Sequence, residues 1–74
     1  MQNKSLDEII SENLKKEIET SGKTKSEIAL AIGVSKPTVS QYLSGRIQPS
    51  LSTLSKLCNY LGCSADEILN IKID

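Results

Sequence analysis

The spacing of the glycines limits this chain to short structural segments. Glycines stand at positions 22, 33, 45 and 62, and each one ends a segment in which apolar residues recur every three or four positions. That repeat is typical of an amphipathic helix, and a glycine directly after it is a common helix end. A serine or threonine able to cap a helix opens each following segment. The pattern predicts an all-α protein, a compact bundle of five short helices.

The first and fourth helices have the clearest apolar stripes. In the first, expected from about residue 5 to residue 20, the stripe consists of Leu6, Ile9, Ile10, Leu14 and Ile18. In the fourth it consists of Leu51, Leu54, Leu57, Cys58 and Leu61. Capping boxes, which mark helix starts, are predicted at the pairs Ser5–Glu8, Thr24–Glu27 and Ser64–Glu67. We therefore expect both stripes to face the core of the bundle.

Length and composition exclude several classes of protein. Seventy-four residues fit one domain, 1–74, with residues 70–74 either a frayed tail or a partner contact. The chain has no histidine and two cysteines, Cys58 and Cys63, which we expect to be reduced thiols. Because no metal-ligand set or nucleophile with a positioned base is present, we expect no metal, cofactor or enzyme activity. We also expect no small-molecule ligand, because a five-helix bundle this small has little interior to spare. No apolar run or signal peptide indicates a membrane or secreted protein, so we expect a cytoplasmic one.

Charge is unevenly distributed along the chain, although nine basic residues balance nine acidic ones. Residues 23–46 carry four basic side chains and one acidic side chain, whereas acidic residues outnumber basic ones on both sides of that segment. Zero net charge over the whole chain argues against a polyanionic partner, but this local excess of positive charge does not. A single solvated helix face could produce the same excess.

The second and third helices are joined by a very short turn around Gly33. Glycine at a helix end takes the left-handed conformation, which costs other residues about 1–2 kcal/mol. Two helices joined so tightly must cross steeply and approach closely, and Ala29 supplies the small side chain that this requires. Val39 belongs to the apolar wedge between them. This arrangement predicts a helix-turn-helix over about residues 25–44.

The third helix leaves one polar side free. On a helical wheel at about 100° per residue, the buried side is defined by Val39, Tyr42 and Leu43. The opposite side and its flanks consist of Pro37, Thr38, Ser40, Gln41 and Ser44. Lys36 lies in the first turn, where a long side chain can extend past the helix end.

Side chains on this face suit the base edges of DNA. The major groove is about 12 Å wide, admits one α-helix and offers paired donors and acceptors. Gln41 can make a two-pronged contact to adenine, and Lys36 can donate to guanine. Pro37 and the methyl group of Thr38 can meet a thymine methyl group. The face is small, polar and presented by a helix, which is what entry into the major groove requires.

Three consecutive stretches of the chain resemble one known family. They are TKSEIALAIGVSKPTVSQYLSG, the loop GRIQPS and the closing LCNYLGCSADEIL. Together they resemble the lambda-repressor-like, Cro-type (XRE) helix-turn-helix regulators over about residues 10–70. The resemblance implies sequence-specific DNA binding by a transcriptional regulator, and a repressor is the expected kind.

The resemblance also implies roles for individual residues. The candidate base-reading residues are Lys36, Pro37, Thr38, Ser40 and Gln41. The candidate phosphate contacts are Lys25, Ser35, Arg46 and Gln48, to which we add Ser44 near the helix end. Family members often carry glutamine where this chain has Pro37, and a proline cannot hydrogen-bond a base edge. Lys36 and Gln41 are therefore expected to do more of the reading.

Modules of this kind usually bind as dimers, so we expect a homodimer on a pseudo-palindromic operator, its half-sites about one helical turn apart. The fifth helix and the tail through Ile71 and Ile73 are candidate dimer surfaces. A second class of function is a protein-interaction module, such as an antitoxin or the partner of a regulator, that keeps the fold mainly as a scaffold. Zero net charge and an acidic first helix favour that alternative. An enzyme is the third class and has the least support.

Overall fold

Five α-helices make up most of residues 4–71, the part of the chain that the computed structural model describes. They are α1 (Leu6–Ser21), α2 (Lys25–Ile32), α3 (Lys36–Ser44), α4 (Leu51–Leu61) and α5 (Ala65–Leu69). No strand occurs within this range. The predicted all-α class and the order of the helices are confirmed. Ile73 lies outside the described residues.

Side-chain caps explain where the first two helices begin. At α1 the Glu8 N–H donates to the Ser5 hydroxyl over 3.1 Å, and the Ser5 N–H donates to the Glu8 carboxylate over 3.4 Å. At α2 the Glu27 N–H donates to the Thr24 hydroxyl over 3.0 Å, and the Thr24 N–H donates to the Glu27 carboxylate over 2.9 Å. Each pair satisfies main-chain donors that have no partner inside the helix. Both predicted capping boxes are confirmed.

The capping box predicted at the start of α5 is wrong. The Ser64 hydroxyl accepts its hydrogen bond from the Asp66 N–H, two residues on, over 3.1 Å. Glu67 therefore does not complete a reciprocal pair with Ser64. The cap is a tight local turn that leads into a helix of one and a half turns.

The core lies where the five helices meet. Its buried side chains are Leu14, Ile18, Ile28, Ala29, Ile32, Val39, Tyr42, Leu54, Leu57, Cys58 and Ile68. Asn13 ties α1 to the end of α5, because its side-chain amide donates to the carbonyls of Glu67 and Ile68, each over 3.2 Å. Within residues 4–71 no buried side-chain nitrogen or oxygen lacks a hydrogen bond. The interior is therefore apolar, and its buried side-chain polar atoms all have hydrogen-bond partners within the described residues.

The apolar stripes of α1 and α4 are only partly buried. Leu6 is 56% exposed and Leu51 is 82% exposed, so their predicted burial is wrong. Each is the first residue of its helix, where the facing helices no longer cover the stripe. Leu43 and Leu61 are half-buried and pack against the edge of the core.

The position of α3 leaves its outer side uncovered. Among the described residues, α3 packs on α1 and α2 and makes no comparable contact with α4 or α5. The helices α4 and α5 instead close the opposite side of the bundle against α1 and α2. One long side of α3 therefore faces solvent.

Candidate nucleic-acid interface

The turn between α2 and α3 has the predicted geometry. Gly33 is left-handed, with φ 76° and ψ 33°. The N–H groups of Gly33 and Val34 both donate to the Ala29 carbonyl, over 2.9 and 3.0 Å. Ala29 is 5% exposed, as expected of a small residue where the two helices approach. Residues 33–35 alone separate the helices, which defines a helix-turn-helix.

The start of α3 is set by Ser35. Its hydroxyl accepts a hydrogen bond from the Thr38 N–H over 3.2 Å, and the two hydroxyl groups lie 2.8 Å apart. Lys36 is the first helical residue, and Pro37 follows in the first turn, where its missing N–H leaves no intrahelical bond unmade. The Lys36 side chain is therefore presented from the exposed N-terminal end of α3.

The solvent-facing side of α3 contains the predicted polar residues. Val39 is fully buried and Tyr42 is 7% exposed, so the inward side is confirmed. Lys36, Pro37, Gln41 and Ser44 are exposed, and Thr38 and Ser40 are half-buried beside them. The base-reading candidates therefore share one face, and their contacts to bases stay a prediction.

Polar side chains on this face differ in what they already bind. The Ser44 hydroxyl donates to the Gln41 carbonyl over 3.1 Å. By contrast, the Gln41 side-chain amide and the Lys36 ammonium have no hydrogen-bonding partner within residues 4–71. An amide with free donors and acceptor and a free ammonium are the groups most available to a ligand.

The loop after α3 holds the next two candidates, Arg46 and Gln48. The Arg46 guanidinium has no acidic partner within the described range. The Gln48 side-chain amide donates to the Asp7 carboxylate over 3.0 Å, across to α1. Gln48 therefore reaches a phosphate only if it shares or gives up that bond, and the nearby carboxylate disfavours an anion.

Lys25 lies at the first position of α2, on the side of α3 that faces α1. It lines one surface groove together with Ser40 and Ser44. Two further lysines, Lys15 of α1 and Lys23 of the following turn, line the same groove. Sequence patterns did not single out these two residues, because a helical wheel of α1 does not show which element lies opposite.

The two cysteines lie away from this face, at the end of α4. Both are free thiols, and Cys58 is buried. Burial, with a smaller effect of the neighbouring Cys58, raises the pKa of the Cys63 thiol to about 11. A thiol that stays protonated is a poor nucleophile. Within residues 4–71 no group of three or more histidine, cysteine, aspartate or glutamate side chains is arranged to hold a metal ion.

A short turn, a capped third helix and an uncovered polar face together define a helix-turn-helix DNA-binding domain. The family model described as helix-turn-helix matches residues 14–68. The chain belongs to this family, the XRE-type helix-turn-helix proteins, and is a DNA-binding transcriptional regulator. Proteins of this class are typically not enzymes.

Two solved structures are similar to this chain. The solution structure of the SOS-response transcriptional repressor LexA from Eubacterium rectale is 31% identical, with a TM-score of 0.82 over 100% of this chain and 82% of that chain. The crystal structure of the clp gene regulator ClgR from C. glutamicum is 26% identical, with a TM-score of 0.79 over 97% of this chain and all of that chain. Among curated proteins, no match is found. Within residues 4–71, no helix has the length and apolar character to cross a membrane.

Proposed function

We propose that the protein is a repressor that reads double-stranded DNA by inserting α3 into the major groove. The observation that carries this proposal is the uncovered face of α3, on which Gln41 and Lys36 have side chains without partners. A single helix fits the groove, and a small polar face allows it to approach the bases. Similarity to LexA, which is described as a repressor, supports repression as the regulatory outcome.

Base reading is assigned to the outer side of α3. Gln41 would bond adenine through both ends of its amide, and Lys36 would donate to guanine. Pro37 and Thr38 would meet thymine methyl groups, because the proline ring and the threonine methyl are apolar. Ser40 would be a secondary contact, since it is half-buried beside these residues.

Phosphate contacts are assigned to the rim of that face. Lys25 is exposed at the start of α2 and has no acidic partner within salt-bridge distance in the described chain. Arg46 follows the end of α3 with its guanidinium free of acidic partners in the described chain. Ser35, Ser44 and Gln48 would contribute through a hydroxyl or an amide, which are weaker donors than a cation.

We further propose that residues 1–74 act as one domain, in the cytoplasm, and as a homodimer. A two-fold symmetric protein matches a pseudo-palindromic operator, with the third helices in successive turns of the major groove. Ile71, which follows α5 and is 51% exposed, is a candidate dimer contact. Free thiols at Cys58 and Cys63 suit a reducing compartment.

Selection of binding sites from a random DNA pool tests the proposal. We expect enrichment of a pseudo-palindrome with half-sites about one helical turn, 34–36 Å, apart. Gln41→Ala is expected to weaken binding to the selected site by about 1–3 kcal/mol and to relax specificity at one base position. Asn59→Ala is the matched control, because Asn59 is an exposed amide on α4.

The salt dependence of DNA binding separates this proposal from a pure protein-interaction module. For a DNA-binding domain the logarithm of the binding constant falls linearly with the logarithm of the salt concentration, whereas a scaffold shows no such dependence. No enriched sequence at low salt would overturn the proposal. Equal affinity of wild type, Gln41→Ala and Asn59→Ala for the selected site would show that Gln41 does not contact a base.

A further inference from the structure

A basic groove runs along the side of α3 that faces α1. It has a volume of about 440 Å³, and the lysines on its rim come from α1, the following turn and α2: Lys15, Lys23 and Lys25. Its floor includes the apolar side chains of Ile18 and Leu43. Ser40 and Ser44 of α3 line the edge nearest the proposed reading face. The groove therefore continues that face toward α1.

Charges in this groove are available to an anion. The ion pair found within residues 4–71 joins Lys4 to Glu12, so neither Lys15 nor Lys25 has a carboxylate within salt-bridge distance. Lys23 is directed elsewhere, because its ammonium lies 4.8 Å from the centre of the Tyr60 ring. Glu19 is the single acidic residue that lines the groove. Lys15 and Lys25 against Glu19 leave the groove with a net positive charge.

A second groove, next to the end of α3, has the opposite charge. It is about 280 Å³ in volume and is lined by acidic residues of α1: Asp7, Glu8 and Glu12. Lys15 lines both grooves, so it marks the point on α1 where the net charge of the surface changes from negative to positive. A DNA strand carries one negative charge every 3.4 Å, so it is attracted to the first groove and repelled by the second.

We propose that the basic groove holds the sugar-phosphate backbone beside the major groove, with Lys15 of α1 as a phosphate contact outside the helix-turn-helix. The inference rests on the proposed DNA binding. It assigns α1 a positioning role, since phosphate contacts fix the orientation of a reading helix without specifying bases. Lys25 would hold the same strand from α2, while Arg46 lies beyond the C-terminal end of α3.

Lys15→Gln and Lys16→Gln form a matched pair of test variants. Both lysines are exposed neighbours on α1, but Lys16 lines neither groove. Binding to the selected operator and to a scrambled duplex is measured from 50 to 200 mM salt. We expect Lys15→Gln to weaken both by roughly fivefold to tenfold at 0.1 M salt and to reduce the salt slope by about one. Lys16→Gln is expected to leave the slope unchanged.

The outcomes separate this inference from the proposed function. Absence of DNA binding by the wild-type protein would overturn the proposed function itself. Wild-type binding with equal salt slopes for the two variants would overturn only the role of Lys15. Charge-reversed variants, Lys15→Glu and Lys16→Glu, repeat the comparison with a larger expected difference. Thermal unfolding of all four variants verifies that the bundle stays folded, as exposure of both lysines predicts.

Discussion

Single side chains in this protein act mainly through the main-chain groups within three or four residues of them. Ser5, Thr24, Ser35 and Ser50 each accept a hydrogen bond from an N–H in the first turn of their own helix. These bonds form within three residues of the cap and do not depend on the rest of the bundle. Each therefore stabilises the start of its own helix. At this scale the start of α3 at Lys36, and hence the placement of its side chain, follows from Ser35.

Glu27 makes the cap of α2 sensitive to acid. Its hydrogen bond from the Thr24 backbone, with a smaller effect of the Thr24 side chain, lowers the pKa of the Glu27 carboxyl. A lowered pKa stabilises the fold above the ordinary glutamate pKa of about 4.3, and this contribution is lost as the pH falls through the lowered value. We expect the thermal midpoint of the wild type to fall more than that of Glu27→Gln between pH 7 and pH 3.

Glutamine at this position keeps the capping geometry and does not titrate. The measurement is thermal unfolding followed by circular dichroism at closely spaced pH values. Glu19→Gln, which removes an exposed carboxylate elsewhere in the chain, serves as the control for the loss of one negative charge. Parallel pH profiles for the wild type and Glu27→Gln would contradict the role given to this carboxylate.

Among the elements, α3 differs from its neighbours in being packed on one side and uncovered on the other. Two elements, α1 and α2, hold it in place. The end of α3 lies close to α1 at Gly45. A Cβ added to Gly45 would lie only 2.9 Å from the Ser11 hydroxyl, so no larger residue fits there without a shift. Tyr42 and Val39 are its buried residues, and Leu43 packs half-buried against the edge of the core. A helix anchored in this way can carry polar residues whose identity does not affect the core.

Loss of the α3 cap is expected to affect stability and DNA binding together. Ser35→Ala should reduce the free energy of unfolding by about 1 kcal/mol and fray the first turn, which carries Lys36. Ser50→Ala removes the corresponding cap of α4, where the Thr53 N–H donates to the Ser50 hydroxyl over 3.2 Å. We expect a similar loss of stability from Ser50→Ala but no loss of DNA affinity.

Urea denaturation and DNA titration of the two cap variants check this prediction. Affinities are compared under conditions in which each variant is fully folded. If Ser50→Ala weakened DNA binding as much as Ser35→Ala, the effect would reflect general stability. The first turn of α3 would then have no special part in binding.

For the molecule as a whole, stability depends on a small shared core. A domain of 74 residues has a free energy of unfolding of roughly 4–11 kcal/mol. Five side chains in this core, Leu14, Ile28, Val39, Leu57 and Ile68, are completely or almost completely buried, and each helix contributes one. Any one of them therefore supports several helices at once.

Leu57→Ala and Leu51→Ala should differ widely although both leucines belong to the same stripe of α4. Leu57 is fully buried, so its truncation is expected to cost about 2–5 kcal/mol, a large part of the total. Leu51 is 82% exposed, and its truncation should change stability by about 0.5 kcal/mol or less. Urea denaturation measures both values. Comparable losses would mean that Leu51 is buried in solution, for example against a second copy.

Much of the architecture was predictable because helix boundaries depend on nearby residues. Gly33 and Ser35 set the end of α2 and the start of α3 through hydrogen bonds with groups no more than five residues away. The free face of α3 was predictable as well, because Val39 and Tyr42 fix which side of the helix faces the core. The exposure of the apolar stripes at the starts of α1 and α4 was not predictable, because periodicity does not show where a facing helix stops.

The sequence by itself determined the helices, the short turn and the polar side of α3, since each depends on main-chain hydrogen bonds and periodicity within a few residues. Only the tertiary structure decided what surrounds that side. It brings Lys15 and Lys25 to one groove and joins Gln48 to Asp7, 41 residues away along the chain. Contacts over such separations depend on how the helices pack, because residues distant in the chain meet only after the core has formed.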